Sequence, residues 1–299
     1  MRMRYPVVII AVTLMAAKAG DAGKAGLANL KMPATARSAA SMTVFSYTGA
    51  GIAGMWDHPT GIEVTDAQAQ VSHNRWFADM VSEVVALGLP LSKGSLAISL
   101  SHTRIPDIEV REKPSDEPLG TVSAQYYSLG AGYALTFWER LHIGTVLKLL
   151  GESLYTENAH GVALDLAAWF KIPGQMDVAV SVQNLGRMTE LAAEATRLPV
   201  LFDVRVVRPE VFVGGPLSVG LGIDLGSNIT TGETRARIGT ELRVRELFFM
   251  RGGYERAGSQ YRSAFGIGLQ YERWSIDYAM IFMTTGLDYP RLVTLGYRF

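Results

Sequence analysis

The sequence predicts an all-β protein, a fourteen-stranded antiparallel transmembrane β-barrel preceded by an N-terminal hatch segment. Three observations predict this fold. Apolar and polar residues alternate over most of the chain after about residue 65, as in strands with one face in lipid and one in the lumen. Short turns alternate with longer links along the same stretch. The chain also ends on an apolar strand that stops at Phe299.

Composition narrows the class of protein. The 299 residues carry 28 Lys plus Arg and 28 Asp plus Glu, so the formal net charge is zero, and no basic excess indicates a nucleic-acid partner. Cysteine is absent, which excludes disulfides, cysteine-bound metal and a lipoprotein anchor. No apolar run reaches the roughly 18 residues of a membrane-spanning helix. The sequence therefore argues against a helical inner-membrane protein.

Residues 1–19 have the three parts of a secretory signal peptide. Arg2 and Arg4 form the charged start, residues 7–15 form the apolar core, and Ala17-Lys18-Ala19 is a small-x-small cleavage site before Gly20. The alternative is a buried N-terminal strand, which the order of the three parts disfavours. We therefore expect export from the cytoplasm to the cell envelope.

Residues 20–65 are rich in Gly, Ala, Ser and Thr and lack sustained alternation. We interpret them as an irregular hatch segment with one short strand around Thr43–Tyr47. The barrel domain follows over residues 66–299. Its alternation predicts strands at 66–75, 80–90, 95–103, 126–137, 141–152, 161–171, 177–184, 201–212, 217–226, 234–244, 247–255, 263–272, 274–282 and 291–299.

Two classes of connection alternate between these strands. Short turns are predicted near 92–94, 138–140, 173–175, 214–216, 245–246 and 272–274, and most of the remaining links are longer or more polar, such as 153–160 and 256–262. Outer-membrane barrels have short periplasmic turns and longer outer loops, so we expect the outer membrane of a diderm bacterium. The longest link, Arg104–Ser123, is charged, contains three prolines and is expected to be a solvated loop.

Aromatic residues mark one rim of the predicted barrel. They lie next to the short turns or the C-terminus, at Phe137, Trp138, Phe170, Phe248, Tyr271, Trp274, Tyr297 and Phe299. We interpret them as an interfacial girdle; the alternative is the general preference of aromatic residues for strands. Tyr297 and Phe299 also resemble the terminal signal that such barrels present to their assembly machinery. Outer-membrane lipids and that machinery are therefore expected partners.

The strand register assigns the remaining side chains either to the lipid face or to the lumen face of the barrel. Glu83 falls on the lipid face, where a carboxylate is tolerated only at the headgroup level. Gly239, Gly266, Gly268 and Ala279 are small inward residues that leave room for an inserted segment. The charges expected to face the lumen balance in sign: Lys148, Arg205, Arg235, Arg237, Arg243, Arg251 and Arg298 against Glu152, Asp165, Asp203, Asp224, Glu241, Glu272 and Asp277. Balanced charges favour internal pairing in a plugged lumen, and the alternatives are an open charged pore or a substrate site.

No residue pattern indicates catalysis. The histidines His58, His73, His102, His142 and His160 have no metal-ligand spacing. No nucleophile elbow, phosphate-binding loop or pair of carboxylates stands out. We therefore expect no catalytic, cofactor-binding or metal site, and a protein that is not an enzyme.

The hatch segment carries a family resemblance. Leu30, Ala36-Arg37-Ser38-Ala39 and Met55–Ile62 are similar to the start of the PorV/PorQ family, and residues 74–79 are similar to its first outer turn. These proteins commonly have Trp-Asn-Pro-Ala-Gly before the first barrel strand. In this chain His58 stands in the place of the Asn, and an aspartate is inserted before it.

Of that motif we retain only Trp56, Pro59 and Gly61. We expect them to be structural positions of the hatch, near the periplasmic mouth of the barrel. PorV/PorQ proteins themselves resemble FadL-type barrels. The resemblance implies a non-enzymatic receptor or shuttle in type IX-like protein secretion, with secreted cargo proteins as partners. The alternative is a FadL-like transporter that moves small hydrophobic compounds across the outer membrane, with a hydrophobic ligand. The sequence names neither the cargo nor the ligand.

Overall fold

The structure, a computed structural model, describes residues 26–47, 52, 54–111, 117–137, 140–191, 194–284 and 288–299. The predicted signal peptide, the first residues of the predicted hatch and Trp138 lie outside the described residues. Within the described ranges, no helix has the length and apolar character needed to cross a membrane.

Fourteen strands close into an antiparallel barrel, which confirms the predicted fold class and strand number. Each strand pairs with its sequence neighbours, and the first strand closes on the last, from Gln68 opposite Arg298 to Arg75 opposite Arg291. The strands are β1 Gln68–Arg75, β2 Val81–Pro90, β3 Ser95–Val110, β4 Gly120–Phe137, β5 Leu141–Leu154, β6 Glu157–Ile172, β7 Met176–Met188, β8 Leu201–Gly214, β9 Leu217–Asn228, β10 Glu233–Val244, β11 Phe248–Ala257, β12 Gln260–Tyr271, β13 Trp274–Met283 and β14 Arg291–Arg298.

The two faces of each strand differ in character, as the period-two pattern requires. In β12, Phe265, Ile267 and Leu269 are exposed on the outside, while Ala264 and Gly266 are buried inside. Similar rows of exposed Leu, Ile, Val and aromatic residues surround the barrel. A soluble protein rarely exposes so large an apolar belt, and outer-membrane barrels present such a belt to lipid.

The predicted outer loop Arg104–Ser123 is wrong, because most of it is strand. β3 continues to Val110 and β4 begins at Gly120, and these two residues pair with each other. A register shift between Ile105 and Ile108 accommodates Pro106, since a bulge tolerates a residue without an N–H donor. The pairing therefore resumes beyond the bulge, and the hairpin extends past the predicted strand ends. Two more predicted links are shorter than expected. The link predicted at 153–160 is a turn at 155–156, and the one predicted at 256–262 is a turn at 258–259.

The connections define the two rims. The links that follow even-numbered strands share one rim with the C-terminus, namely 91–94, 138–140, 173–175, 215–216, 245–247 and 272–273. We call this the inner rim, because short turns face the periplasm in outer-membrane barrels. The outer rim carries the remaining links, of which 189–200 is the longest and contains a small hairpin of Glu190–Leu191 and Glu194–Ala195.

The described residues of 26–65, here called the lumen segment, run through the inside of the barrel. They form 3-10 turns at Ala28–Lys31 and Pro59–Ile62 and two short helices, α1 Ala36–Ala40 and α2 Gly54–Asp57. The strand predicted around Thr43–Tyr47 is wrong, because these residues form consecutive turns. Inside a closed barrel every strand edge is already paired, so no edge remains for this stretch to join.

The lumen segment passes from the outer rim to the inner rim. Near the outer rim, the Gly26 amide donates to the Arg197 carbonyl of the longest outer link at 3.1 Å. Near the inner rim, the Val64 amide donates to Ser95 Oγ at the start of β3, at 3.0 Å. The described part of the segment thus spans the barrel lengthwise.

Candidate functional site: the filled lumen

Inward glycines make room for the lumen segment. An ideal Cβ on Gly144 would lie 2.4 Å from the Pro59 carbonyl carbon, and one on Gly266 would lie 2.5 Å from the Cβ of Ala40. Gly239 has the same relation to the Ser41 carbonyl oxygen, at 2.8 Å. Real side chains could not occupy this space without moving the segment. These contacts agree with the expectation that small inward residues accommodate an inserted segment.

Gly268 has a different role from the one expected. A Cβ there would meet the Asp277 carboxylate at 2.3 Å and the Arg251 guanidinium at 2.8 Å. This glycine therefore leaves room for an ion pair of the wall. Ala279 is fully buried and packs in an apolar cluster with Ala36, Ala39 and other residues of α1 and the wall.

Apolar contacts with the wall are divided among four small clusters along the segment. They centre on Leu27 near the outer rim, on α1, on Val44 and Phe45, and on Ile52 with Ile62. The wall contributes mostly alanines to the last of these clusters and a mixture of alanines and larger residues to the first two. Its largest contribution to the third is Trp169. Burial is thus spread over separate patches of modest area.

The three residues of the predicted hatch motif lie inside the barrel. Trp56 Nε1 donates to Ser99 Oγ at 2.9 Å, and its carbonyl accepts from Gln183 Nε2 at 3.0 Å. Pro59 opens the 3-10 turn that packs on Gly144. Gly61 lies against the backbone of Gly54, so close that a Cβ would lie 2.7 Å from the Gly54 Cα. These positions place the motif in the inner half of the lumen, and its functional role stays a prediction.

Two buried titratable residues follow Trp56. Asp57 was the inserted residue of the motif; burial raises its pKa to about 6, and its Oδ2 atom has no hydrogen-bond partner among the described residues. Burial also lowers the pKa of His58 well below its ordinary value, so this imidazole is neutral at pH 7. His58 Nδ1 lies 2.7 Å from Thr60 Oγ1, which donates to the Tyr47 carbonyl at 3.0 Å.

Tyr47 connects this stretch to the wall. Its hydroxyl donates to Asp177 Oδ2 at 2.8 Å, and its ring meets Trp169 edge-on at 5.5 Å between centroids. Trp169 stacks in turn on His142 at 3.8 Å. Burial and the Asp177 carboxylate raise the pKa of Tyr47, so its hydroxyl stays protonated and remains a donor.

Most of the inward charges of the wall pair with one another, as the prediction of internal pairing expects. Short contacts join Lys148 to Asp165 at 2.5 Å and Arg205 to Asp224 at 2.5 Å. The other pairs are Arg235 with Asp203, Arg237 with Glu255, Arg251 with Glu241 and Asp277, and Arg243 with Glu241. Most of these side chains are buried, where the cost of removing both charges from water offsets much of their attraction.

One charge assignment is wrong, and one inward charge was not predicted. Glu272 was expected in the lumen, but it lies exposed in the turn between β12 and β13, with a left-handed φ of 52°. Glu255 was missed, although it shares the inward face of β11 with Arg251 and accepts from both Arg237 and Arg262. Glu255 is the last residue of its predicted strand, 247–255, so no later residue of that strand continues the alternation that would place Glu255 on the inward face.

Charged wall residues also hold the lumen segment. Arg237 Nη1 donates to Thr43 Oγ1 at 2.8 Å, and Arg205 Nη2 donates to the Asp57 carbonyl at 3.4 Å. Arg37 of α1 lies 3.5 Å from Glu241. The segment is therefore connected to the same ionic network that lines the wall.

A bulge in β7 links the outer rim to Trp56. Asn184 has a left-handed φ of 62°; its amide N–H donates to Asp165 Oδ1 at 2.7 Å, and its side chain donates to the Pro199 carbonyl at 3.0 Å. Lys148 Nζ donates to Asn184 Oδ1 at 3.0 Å and lies 5.4 Å from the centre of the Trp56 ring. The outer link 189–200 and the lumen segment thus share one buried polar cluster.

Space remains on both sides of the lumen segment. A cavity of about 210 Å³ opens at the inner rim, between β1, β11–β14 and the segment. Two smaller cavities of about 30 and 20 Å³ lie beside Leu30, Met32 and Trp56. Among the described residues, no three His, Cys, Asp or Glu side chains come together as a metal site.

The outer surface carries the remaining predicted features. Glu83 is exposed beside His73, with 3.0 Å between Oε1 and Nδ1, near the outer ends of β1 and β2. At the inner rim Tyr297 packs against Trp274 and Phe299, with ring centroids 4.6 and 5.1 Å apart. The Phe299 amide donates to the Ala67 carbonyl at 2.9 Å, which closes the barrel at its seam. Whether Tyr297 and Phe299 direct assembly stays a prediction.

Comparisons with known proteins agree with this geometry. No family model matches the chain, and no curated protein matches its sequence. Among solved structures, the Pseudomonas putida toluene transporter TodX has a TM-score of 0.63 at 12% identity, covering 90% of this chain and 98% of its own. The two chains therefore share a fold.

Two further structures share this fold. The Ralstonia pickettii toluene transporter TbuX has a TM-score of 0.61 at 10% identity, covering 89% of this chain and 98% of its own. The CymD monoaromatic hydrocarbon channel has a TM-score of 0.63 at 10% identity and covers 91% of this chain and 98% of its own. These proteins are transporters and channels rather than enzymes. The PorV/PorQ resemblance receives no support from the comparisons, since no family model matches.

Proposed function

We propose that this protein takes up small hydrophobic compounds across the outer membrane, with the lumen segment as its gate. The observation that carries this proposal is the filled lumen. The described residues of the segment run from the Arg197 carbonyl at the outer rim to Ser95 at the inner rim. A solute therefore cannot pass straight through, as it would in an open water-filled porin, and passage requires the segment to move.

The contacts that hold the segment suit a movable gate. They consist of separate hydrogen bonds, such as those to Thr43 and to the Asp57 carbonyl, and of small apolar clusters. Each hydrogen bond contributes only about 1 kcal/mol net, because displaced groups regain bonds to water. Displacing part of the segment thus costs far less than opening the barrel wall, whose strands are paired along their lengths.

The hydrophobic class of solute is proposed from the similar folds. TodX and TbuX are toluene transporters and CymD is a monoaromatic hydrocarbon channel. The secretion receptor of the PorV/PorQ type is less well supported. The predicted outer loop Arg104–Ser123, which could have contacted cargo, is mostly a hairpin of β3 and β4, so only residues 111–119 remain between the two strands.

Two measurements test this proposal. In planar bilayers the intact protein should be nearly silent, and a variant lacking residues 26–62 should open large, weakly selective currents, because barrel diameter grows with strand number. Cells that express the intact protein should take up radiolabelled toluene faster than cells without it. Large constitutive currents from the intact protein would overturn the gate, and unchanged toluene uptake would overturn the hydrophobic substrate.

A further inference from the structure

The cavity at the inner rim is a polar chamber on the periplasmic side of the lumen segment. Its volume is about 210 Å³, whereas a single water molecule needs roughly 10–15 Å³ of such space. It therefore has room for a small organic solute. The walls come from β1, from the inner ends of β11–β14 and from Arg37, Glu63 and Thr65 of the lumen segment.

Three amide side chains in this chamber have no hydrogen-bond partner among the described residues. Gln68 and Gln70 of β1 and Gln270 of β12 line the chamber, and none of them makes a side-chain hydrogen bond to a described residue. Each amide offers two donors and an acceptor oxygen. Inward polar groups elsewhere in the lumen mostly bond to one another or to the segment, so this stretch of wall is set apart by its free hydrogen-bonding capacity.

Positive charge exceeds negative charge around the chamber. Arg37, Arg251, Arg273 and Arg298 line it, together with the carboxylates Glu63 and Asp277. Arg251 is occupied by Asp277 and Glu241, and Arg37 lies beside Glu241. Arg298 donates from Nη2 to the Glu272 carbonyl at 2.9 Å, which leaves further N–H donors of its guanidinium. Arg273, in the adjoining turn, has no ion pair among the described residues.

We propose that this chamber binds a small hydroxylated carboxylate from the periplasm. Arg273 and Arg298 at its mouth would hold the carboxylate through charge-assisted hydrogen bonds, and the three glutamine amides would bond to the hydroxyl groups. This site is separate from the uptake of hydrophobic compounds, because it lies on the periplasmic side of the gate and its lining is polar.

Calorimetric titration of the folded barrel in detergent tests the site. Gluconate carries both a carboxylate and hydroxyls, glucose carries only hydroxyls, acetate carries only the carboxylate, and phosphate is an anion of different shape. We expect gluconate to bind at least about tenfold more tightly than the other three. R273Q and R298Q should each weaken gluconate binding by about tenfold or more, and Q270L should weaken it by a smaller factor.

Arg245→Gln is the matched control, because Arg245 is an exposed arginine in another inner turn and does not line the chamber. It should leave binding unchanged. Heat-modifiable mobility checks that each variant is folded, and Arg273→Gln, in an exposed turn, carries the test if Arg298→Gln fails to assemble. No gluconate binding, equal binding of phosphate, or binding that survives both arginine substitutions would each overturn the proposal.

Discussion

Asp57 is a buried carboxylate of the lumen segment whose charge state depends on pH. Burial raises its pKa to about 6, above the ordinary value of about 3.9 for an unfolded chain. The folded protein therefore binds this proton more tightly than the unfolded chain does. The carboxylate thus lowers stability progressively as the pH rises from about 4 to about 6, and the full cost persists above that range.

Asp57→Asn should remove this cost. The variant is expected to be more stable than the parent protein by up to roughly 3 kcal/mol at pH 7.5, and equally stable near pH 4. Urea midpoints of the folded barrel at the two pH values measure the difference. Asp66→Asn, at an exposed aspartate after the lumen segment, is the control and should change neither midpoint. An equal gain for Asp57→Asn at both pH values would contradict the titration argument.

A substitution at Gly144 tests how closely the lumen segment packs against the barrel wall. A Cβ at this position would lie 2.4 Å from the backbone of Pro59, and neither backbone can move away easily. Gly144→Ala should displace the 3-10 turn of residues 59–62 and raise the frequency of channel openings in planar bilayers. Gly151→Ala on the same strand meets only ordinary contacts, at 3.6 Å, and should stay silent. Silence of both variants would mean that this contact does not seat the segment.

Strands β5, β6 and β7 form the element in which the buried ion pair of Lys148 and Asp165 lies. Both side chains are almost fully buried, and Asn184 at the β7 bulge bonds to each of them. A charge left alone in such a place is costly, whereas removal of the whole pair is often nearly neutral. The pair and the bulge together determine the local shape of the wall behind Trp56.

Lys148→Met should therefore destabilise the barrel by about 3–5 kcal/mol. The double variant Lys148→Met with Asp165→Leu should recover most of that loss. Urea midpoints of the two single variants and the double variant form a mutant cycle that isolates the coupling. If the two single effects simply add in the double variant, the pair does not act as a unit.

The whole barrel closes through β14, which pairs with β1 and ends at Phe299. Deletion of Phe299 removes an exposed aromatic group and the amide that bonds to the Ala67 carbonyl at the seam. We expect the deletion to lower the amount of membrane-inserted protein severalfold without changing the properties of the barrels that do form. Heat-modifiable mobility of membrane fractions measures insertion, and Phe299→Tyr is the conservative control. Normal insertion of the deletion variant would argue against an assembly signal.

Local pattern determined the barrel strands and their faces. Period-two alternation places successive side chains on opposite faces, so runs such as Phe265, Ile267 and Leu269 identified the lipid side of β12 without any knowledge of its neighbours. The inner turns followed for the same reason, because each interrupts the alternation within a few residues. Balanced inward charges likewise indicated internal pairing, since unpaired charges are costly in a filled lumen.

Only the tertiary structure decided which inward groups meet. The partner of Glu255 depends on the register of β10 against β11, which places Arg237 opposite it, and no local pattern encodes that register. The length of the β3–β4 hairpin depends on pairing that resumes beyond the bulge at Pro106. The path of residues 26–65 from one rim to the other depends on space left by glycines of distant strands. Each of these features arises from contacts between residues far apart in the chain, whereas alternation records only the environment of each strand by itself.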